Sequence, residues 1–188
     1  MKLLILFLFF CCSLIAEGQS KKSSLQGIAA AGLVGGESEV AAAFRVSGGV
    51  AKDMYYGGIG LGFDNYRFRS IPLFADFRIS PGTRQRWFLY GSAGYNFPYH
   101  AHSDNYIINK IEDKFDGGFY GEAGVGIKLV SFGKNSLLWD FGFSYKEMTN
   151  VVKYSYIIRD PPPMIEMYER NYHLGRIITK LSWQFRSR

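Results

Sequence analysis

Cysteine and histidine are nearly missing from this 188-residue chain, which has two Cys and three His. Both cysteines, Cys11 and Cys12, sit in an N-terminal apolar run that starts from Met1-Lys2, continues through Leu3–Phe10 and reaches Leu14 and Ile15. Ala16 and Gly18 then suit cleavage before Gln19. This is the pattern of a signal peptide over residues 1–18, shorter than the roughly 20 apolar residues a spanning helix needs. Phe10, immediately before Cys11, is too large for a lipid-attachment site. Cleavage after Gly18 leaves a mature chain without cysteine. Disulfides, thiol nucleophiles and cysteine-bound metals are then excluded together.

Clustered basic residues are also lacking. The net charge of +6 is unchanged by loss of Lys2 and Glu17, and its bases fall singly along the chain. Nucleic acid is therefore not an expected partner, and attraction to anionic lipid headgroups accounts for the charge. No segment after Gln19 carries a 3.6-residue apolar stripe, and no repeat of solenoid length is present. One domain is expected, behind a flexible Ser/Lys-containing lead-in at 19–24.

What the chain does have is aromatic residues and glycine: 16 Phe, 13 Tyr and 22 Gly. They fall in segments of about ten residues that alternate in character between turn signals. Eight such segments are readable: Leu25–Val34, Val40–Val50, Tyr56–Tyr66, Ser70–Ser80, Trp87–Phe97, Phe119–Val130, Leu137–Met148 and Tyr172–Phe185. The last sets Gly175, Ile177, Thr179, Leu181, Trp183 and Phe185 against Arg176, Lys180, Ser182 and Gln184, with Leu174 and Ile178 as apolar exceptions on the polar side. An even number of strands suits antiparallel closure, so the expected fold is all-β: an eight-stranded antiparallel up-and-down transmembrane β-barrel over 25–185.

The polar parity decides between lipid and water. It gathers Arg45, Asp64, Asp76, Arg78, Glu122, Lys128, Asp140, Lys146, Arg176 and Lys180 in one narrow lumen, a mixed-sign set able to pair across strands. A soluble lipocalin-like carrier would place apolar residues inside instead, and it is the weaker alternative. Trp87, Trp139 and Trp183 share the apolar parity near the short-turn ends of their strands and read as a membrane girdle. Connections at 51–55, 81–86 and 131–136 are short, whereas 98–118 and 149–171 are long, the asymmetry of periplasmic turns and extracellular loops.

Several stretches carry a family resemblance: the leader, Gly57–Asp64, Ile71–Arg78, Tyr90–Tyr95, Gly124-Val125-Gly126 and the terminal Trp183-Gln184-Phe185. Through them the whole mature chain resembles the small outer-membrane β-barrel proteins of Bacteroidota type, related in architecture to the OmpA and OmpX barrels. The resemblance implies location in the cell outer membrane, contact with outer-membrane lipids, and insertion by the barrel-assembly machinery through a signal at Trp183 and Phe185. It implies no activity. One departure is the basic tail 186–188, Arg186-Ser187-Arg188, which follows the terminal aromatic.

For chemistry, the strongest candidate is His100-Ala101-His102-Ser103-Asp104 in the first long loop. A histidine base beside a hydroxyl is the ingredient of lipid A or phospholipid modification, with His102 and Ser103 as rim residues. No strand-borne histidine, serine and acid converge with it, and two histidines on a loop are a poor metal site. No cofactor or metal is expected. His173, on the lipid-facing parity, reads as an interfacial residue. The Gly57–Gly62 run leads into no helix and reads as lumen glycines making room for large side chains. The loop 149–171 combines Pro161-Pro162-Pro163 with Met164, Ile165, Met167 and Tyr168, apolar residues suited to packing over the barrel mouth or to an extracellular partner. The expected function is a non-enzymatic integral outer-membrane barrel, structural or displaying its two long loops.

Overall fold

The computed structural model describes residues 23–37, 39–82, 85–99, 110–156 and 164–187. The leader, residues 19–22, the His100–Asp104 cluster and the triple proline lie outside the described residues. Eight antiparallel strands form one closed barrel in sequence order: β1 (Ser24–Gly35), β2 (Val40–Lys52), β3 (Tyr55–Asp64), β4 (Ser70–Ile79), β5 (Trp87–Pro98), β6 (Lys110–Phe132), β7 (Asn135–Tyr156) and β8 (Met164–Arg186). Closure is made by β1 against β8, with Ala29 opposite Trp183 and Leu33 opposite Thr179. The tight turns follow from local chemistry. Gly133, between β6 and β7, takes φ +62°, a left-handed value that costs glycine nothing. Asp53 takes φ +53° between β2 and β3, a conformation its short polar side chain tolerates.

Alternation along each strand produces an inside-out molecule. Ile59 is 72 % exposed and Ile177 58 %, while Asp140 is fully buried and Arg176 is 1 % exposed. Exposed apolar side chains continue around the wall through Val46, Leu61, Leu89, Phe141 and Leu181. A continuous apolar belt around a charged interior has lipid as its natural solvent, and closure leaves no strand edge inside the belt. The barrel is a membrane barrel, and the lipocalin-like arrangement is excluded.

The strand ends differ from the alternation reading. β6, β7 and β8 run 23, 22 and 23 residues, so much of 98–118 and 149–171 is strand and not loop. β5 stays paired with β6 only as far as Asn96 opposite Gly118, and β1 with β8 only as far as Gly35 opposite Ile177. β7 and β8 continue together to Tyr156 opposite Met164, with Lys110 of β6 alongside Tyr154. These three strands therefore rise beyond the rim as a ribbon, roughly 25 Å long at about 3.4 Å per residue. Polar residues such as Thr149, Asn150, Arg170 and Asn171 enter this stretch, so the apolar alternation in sequence is lost while the backbone ladder continues and one face stays covered, with Met148, Asn150 and Val152 buried. At the other end, β1 begins at Ser24 and β8 includes Arg186. Arg186 lies opposite Gln26 within the sheet, and Ser187 donates its N–H to the Leu25 carbonyl, while Arg188 lies outside the described residues.

Candidate functional site

Among the described residues, chemistry-bearing side chains converge in the lumen, which is built in layers. Nearest the ribbon, Asp64 at the end of β3 is paired with Arg176 of β8 and lies 3.5 Å from Lys146 of β7. Arg176 also donates to Ser144 Oγ at 2.8 Å. Lys146 donates to the Tyr66 and Phe68 carbonyls at 3.1 and 2.9 Å and to Ser70 Oγ at 3.1 Å, so it fixes the turn that leads into β4. An apolar cap of Val34, Ala43, Tyr66, Leu174 and Ile178 closes over this layer, and Phe68 packs against Phe115 and Tyr172. Leu174 and Ile178, the two exceptions to the alternation, are therefore inward residues of this cap.

The middle layer centres on Glu122 of β6. It meets Arg45 of β2 at 2.6 Å, Lys180 of β8, and the Tyr120 hydroxyl at 2.9 Å. Arg45 lies 3.9 Å over the Phe74 ring and donates to Ser92 at 2.9 Å. Ser92 and Ser47 in turn donate to Asp76 at 3.1 and 2.9 Å. Below them Arg78 stands 3.6 Å from Asp76 and 3.5 Å from Asp140, which accepts from Ser182 at 2.8 Å. Glycines make this density possible. A Cβ on Gly60 would fall 2.6 Å from the Phe74 ring, and one on Gly142 2.6 Å from the Tyr90 oxygen.

Nine of the ten charged residues read from the polar parity take part in these ion pairs. Lys128 does not. It points inward opposite Leu138, but at the short-turn mouth, where Arg186 is its charged neighbour. Much of the lumen is also aromatic: Tyr56, Phe74, Phe88, Tyr90 and Tyr120 are all buried, Tyr90 and Tyr120 on the polar side of the alternation, whereas the sequence reading does not assign Tyr56, Phe74 and Phe88 inward. Their parity was available as the signal, since each lies one residue from an outward apolar position. Trp87 and Trp139 face outward near the short-turn end, Trp139 donating to Thr179 Oγ1 at 2.9 Å, and Trp183 stacks on Phe132 at 5.6 Å. Phe185 lies edge-on to Trp183. His173 also faces outward, 2.9 Å from the Tyr145 hydroxyl, in a group with Glu147.

This arrangement binds itself. Its carboxylates are matched to bases, its serines donate or accept within the network, and no described histidine enters it. Among the described residues no group of three or more His, Cys, Asp or Glu is placed to hold a metal. What the layers can do chemically is occupy the channel axis with charge that is already paired.

The outer membrane protein OprG from Pseudomonas aeruginosa superposes with a TM-score of 0.54 at 7 % identity, over 90 % of this chain and 98 % of that one. The fold is that of small outer-membrane barrels. A major outer membrane protein from Thermus thermophilus gives 0.53 at 15 % identity, over 89 % of this chain and 100 % of that one. The outer membrane protein AlkL, solved in lipid bilayers, gives 0.45 at 8 % identity over 92 % and 93 %. No protein-family model and no curated protein matches the chain.

Proposed function

We propose that this chain is an integral outer-membrane barrel whose lumen is plugged and whose work is done by the β6–β7–β8 ribbon, displayed on the cell surface to a partner. The observation that carries the reading is the three-layer ion network. Arg45, Glu122 and Lys180, with Asp64, Arg176 and Lys146 above and Arg78 and Asp140 below, fill the axis that a pore would need. The mutual pairing of these groups leaves no base or nucleophile poised for catalysis, which supports a non-enzymatic role. The ribbon end is assigned to the outside and the short turns to the periplasm, following the usual asymmetry of such barrels. The narrower kinship to Bacteroidota-type barrels is part of this reading and rests on the sequence motifs.

Single cysteines test the display directly, because the mature chain supplies none of its own. Glu169→Cys on the ribbon should react with a membrane-impermeant maleimide on intact cells, and Lys134→Cys in a short turn should react only after lysis. The purified barrel should add no steady conductance to a planar bilayer. Equal labelling of both positions, or open-channel currents, would overturn the proposal.

A further inference from the structure

The short-turn mouth carries a charge imbalance that the rest of the lumen does not. Its described ionisable residues are Lys52, Arg86, Lys128, Lys134 and Arg186 against Asp53 alone. A recess opens there into the base of the lumen, lined in part by Arg78, Lys128, Arg186, Gln26, Gln184 and Gln85, with about 30 Å³ of room for water-sized atoms. Elsewhere in the barrel a buried base sits beside a carboxylate. Here Lys128 has Arg186 as its charged neighbour, and the two like charges oppose each other. Arg186 spends one N–H on Gln26 Oε1 at 3.1 Å, and its Nε is buried without an acceptor. Arg78, at the floor, keeps Nε and Nη1 without a hydrogen-bond acceptor, its two acids standing 3.5 and 3.6 Å away. Asp53, the one acid lining the recess, sits in the β2–β3 turn, where its carbonyl accepts from Gln85 at 3.0 Å.

Two bases outside the ion-paired layers, Lys128 and Arg186, converging on one small recess with an unspent Arg186 donor and amide side chains around them and Arg78 at its floor, are the chemistry of an oxyanion site. We infer that the short-turn mouth binds a phosphate-type oxyanion between Lys128 and Arg186, above Arg78. Two sources present that group to a periplasmic mouth: free phosphate in solution, and the headgroup of an anionic phospholipid in the inner leaflet. The site is separate from the ribbon, and it holds whether or not the ribbon engages a partner.

The test uses the mature chain refolded in a zwitterionic detergent, with inorganic phosphate titrated in and followed by calorimetry. Saturable binding is expected, weaker by about tenfold in K128Q or R186Q and abolished in the double variant. Each variant is first checked for the boiling-dependent gel shift of a folded barrel, which Lys128 should not influence because it lies outside the ion-paired layers. A second arm reconstitutes the protein in phosphatidylcholine with a minor share of phosphatidylglycerol and counts the lipid retained through purification by mass spectrometry. Phosphatidylglycerol enrichment lost in K128Q assigns the site to a headgroup. Phosphate binding without that enrichment assigns it to a soluble oxyanion. Absence of both in the wild-type chain, or binding that survives in the double variant, overturns the inference.

Discussion

Glu122→Gln is the sharpest perturbation of the lumen. Among the described residues Glu122 is the carboxylate of the middle layer that contacts both Arg45 and Lys180, and its side chain is fully buried along with Lys180. Glutamine keeps the shape but removes the charge, leaving two cations facing each other away from water. Breaking a buried pair from one side costs about 3–5 kcal/mol, because the surviving charge is uncompensated. With two bases stranded the upper end applies, so the variant should lose about 5 kcal/mol. Adding Lys180→Met removes one stranded charge. Arg45 then still has Ser92 at 2.9 Å, and the double variant should recover about half of the loss. Urea unfolding in phospholipid vesicles, followed by tryptophan fluorescence and gel mobility, gives the free energies by linear extrapolation. A loss under about 1 kcal/mol for Glu122→Gln, or simple additivity of the two substitutions, would refute the claim that this layer is a coupled ionic plug.

Gly94→Ala should prevent closure, since the added Cβ would lie 2.6 Å from the Phe74 backbone and collide with the Leu73 carbonyl; the folded gel band should vanish. Lys146→Met should cost about 3 kcal/mol and loosen the turn at 65–69, read as faster amide exchange there, because the Tyr66 and Phe68 carbonyls lose their donor. Replacing His102 and Ser103 by alanine should leave lipid A acylation unchanged, as measured by mass spectrometry of extracted lipid A. A change would revive the enzymatic alternative.

The fold was legible because lipid imposes a simple rule on each strand. Residues such as Ile59, Leu61 and Phe63 must alternate with Gly58, Gly60 and Gly62, so strand count and sidedness can be read from parity alone. The polar parity likewise named the lumen residues. It could not say which acid meets which base, since Arg45 reaches Glu122 across strands far apart in sequence and only closure brings them together. It also misjudged the ends. Where β6, β7 and β8 run on past their neighbours the apolar signal stops, and a ribbon with Thr149 opposite Asn171 looks like a loop. Arg186 gives no strand signal either, although its side chain meets Gln26 inside the mouth. Phe74 and Phe88 fill the lumen without a charge to mark them as inward, because a lumen with so many glycines needs large rings beside them.

The central claim is a closed membrane barrel with charge inside and an apolar belt outside. Gel migration of the mature chain from an outer-membrane fraction, boiled against unboiled, tests it most directly. A compact, faster-running band that converts to the full apparent mass only on boiling is expected. A single band under both conditions, with the protein recovered in the soluble fraction, would contradict it.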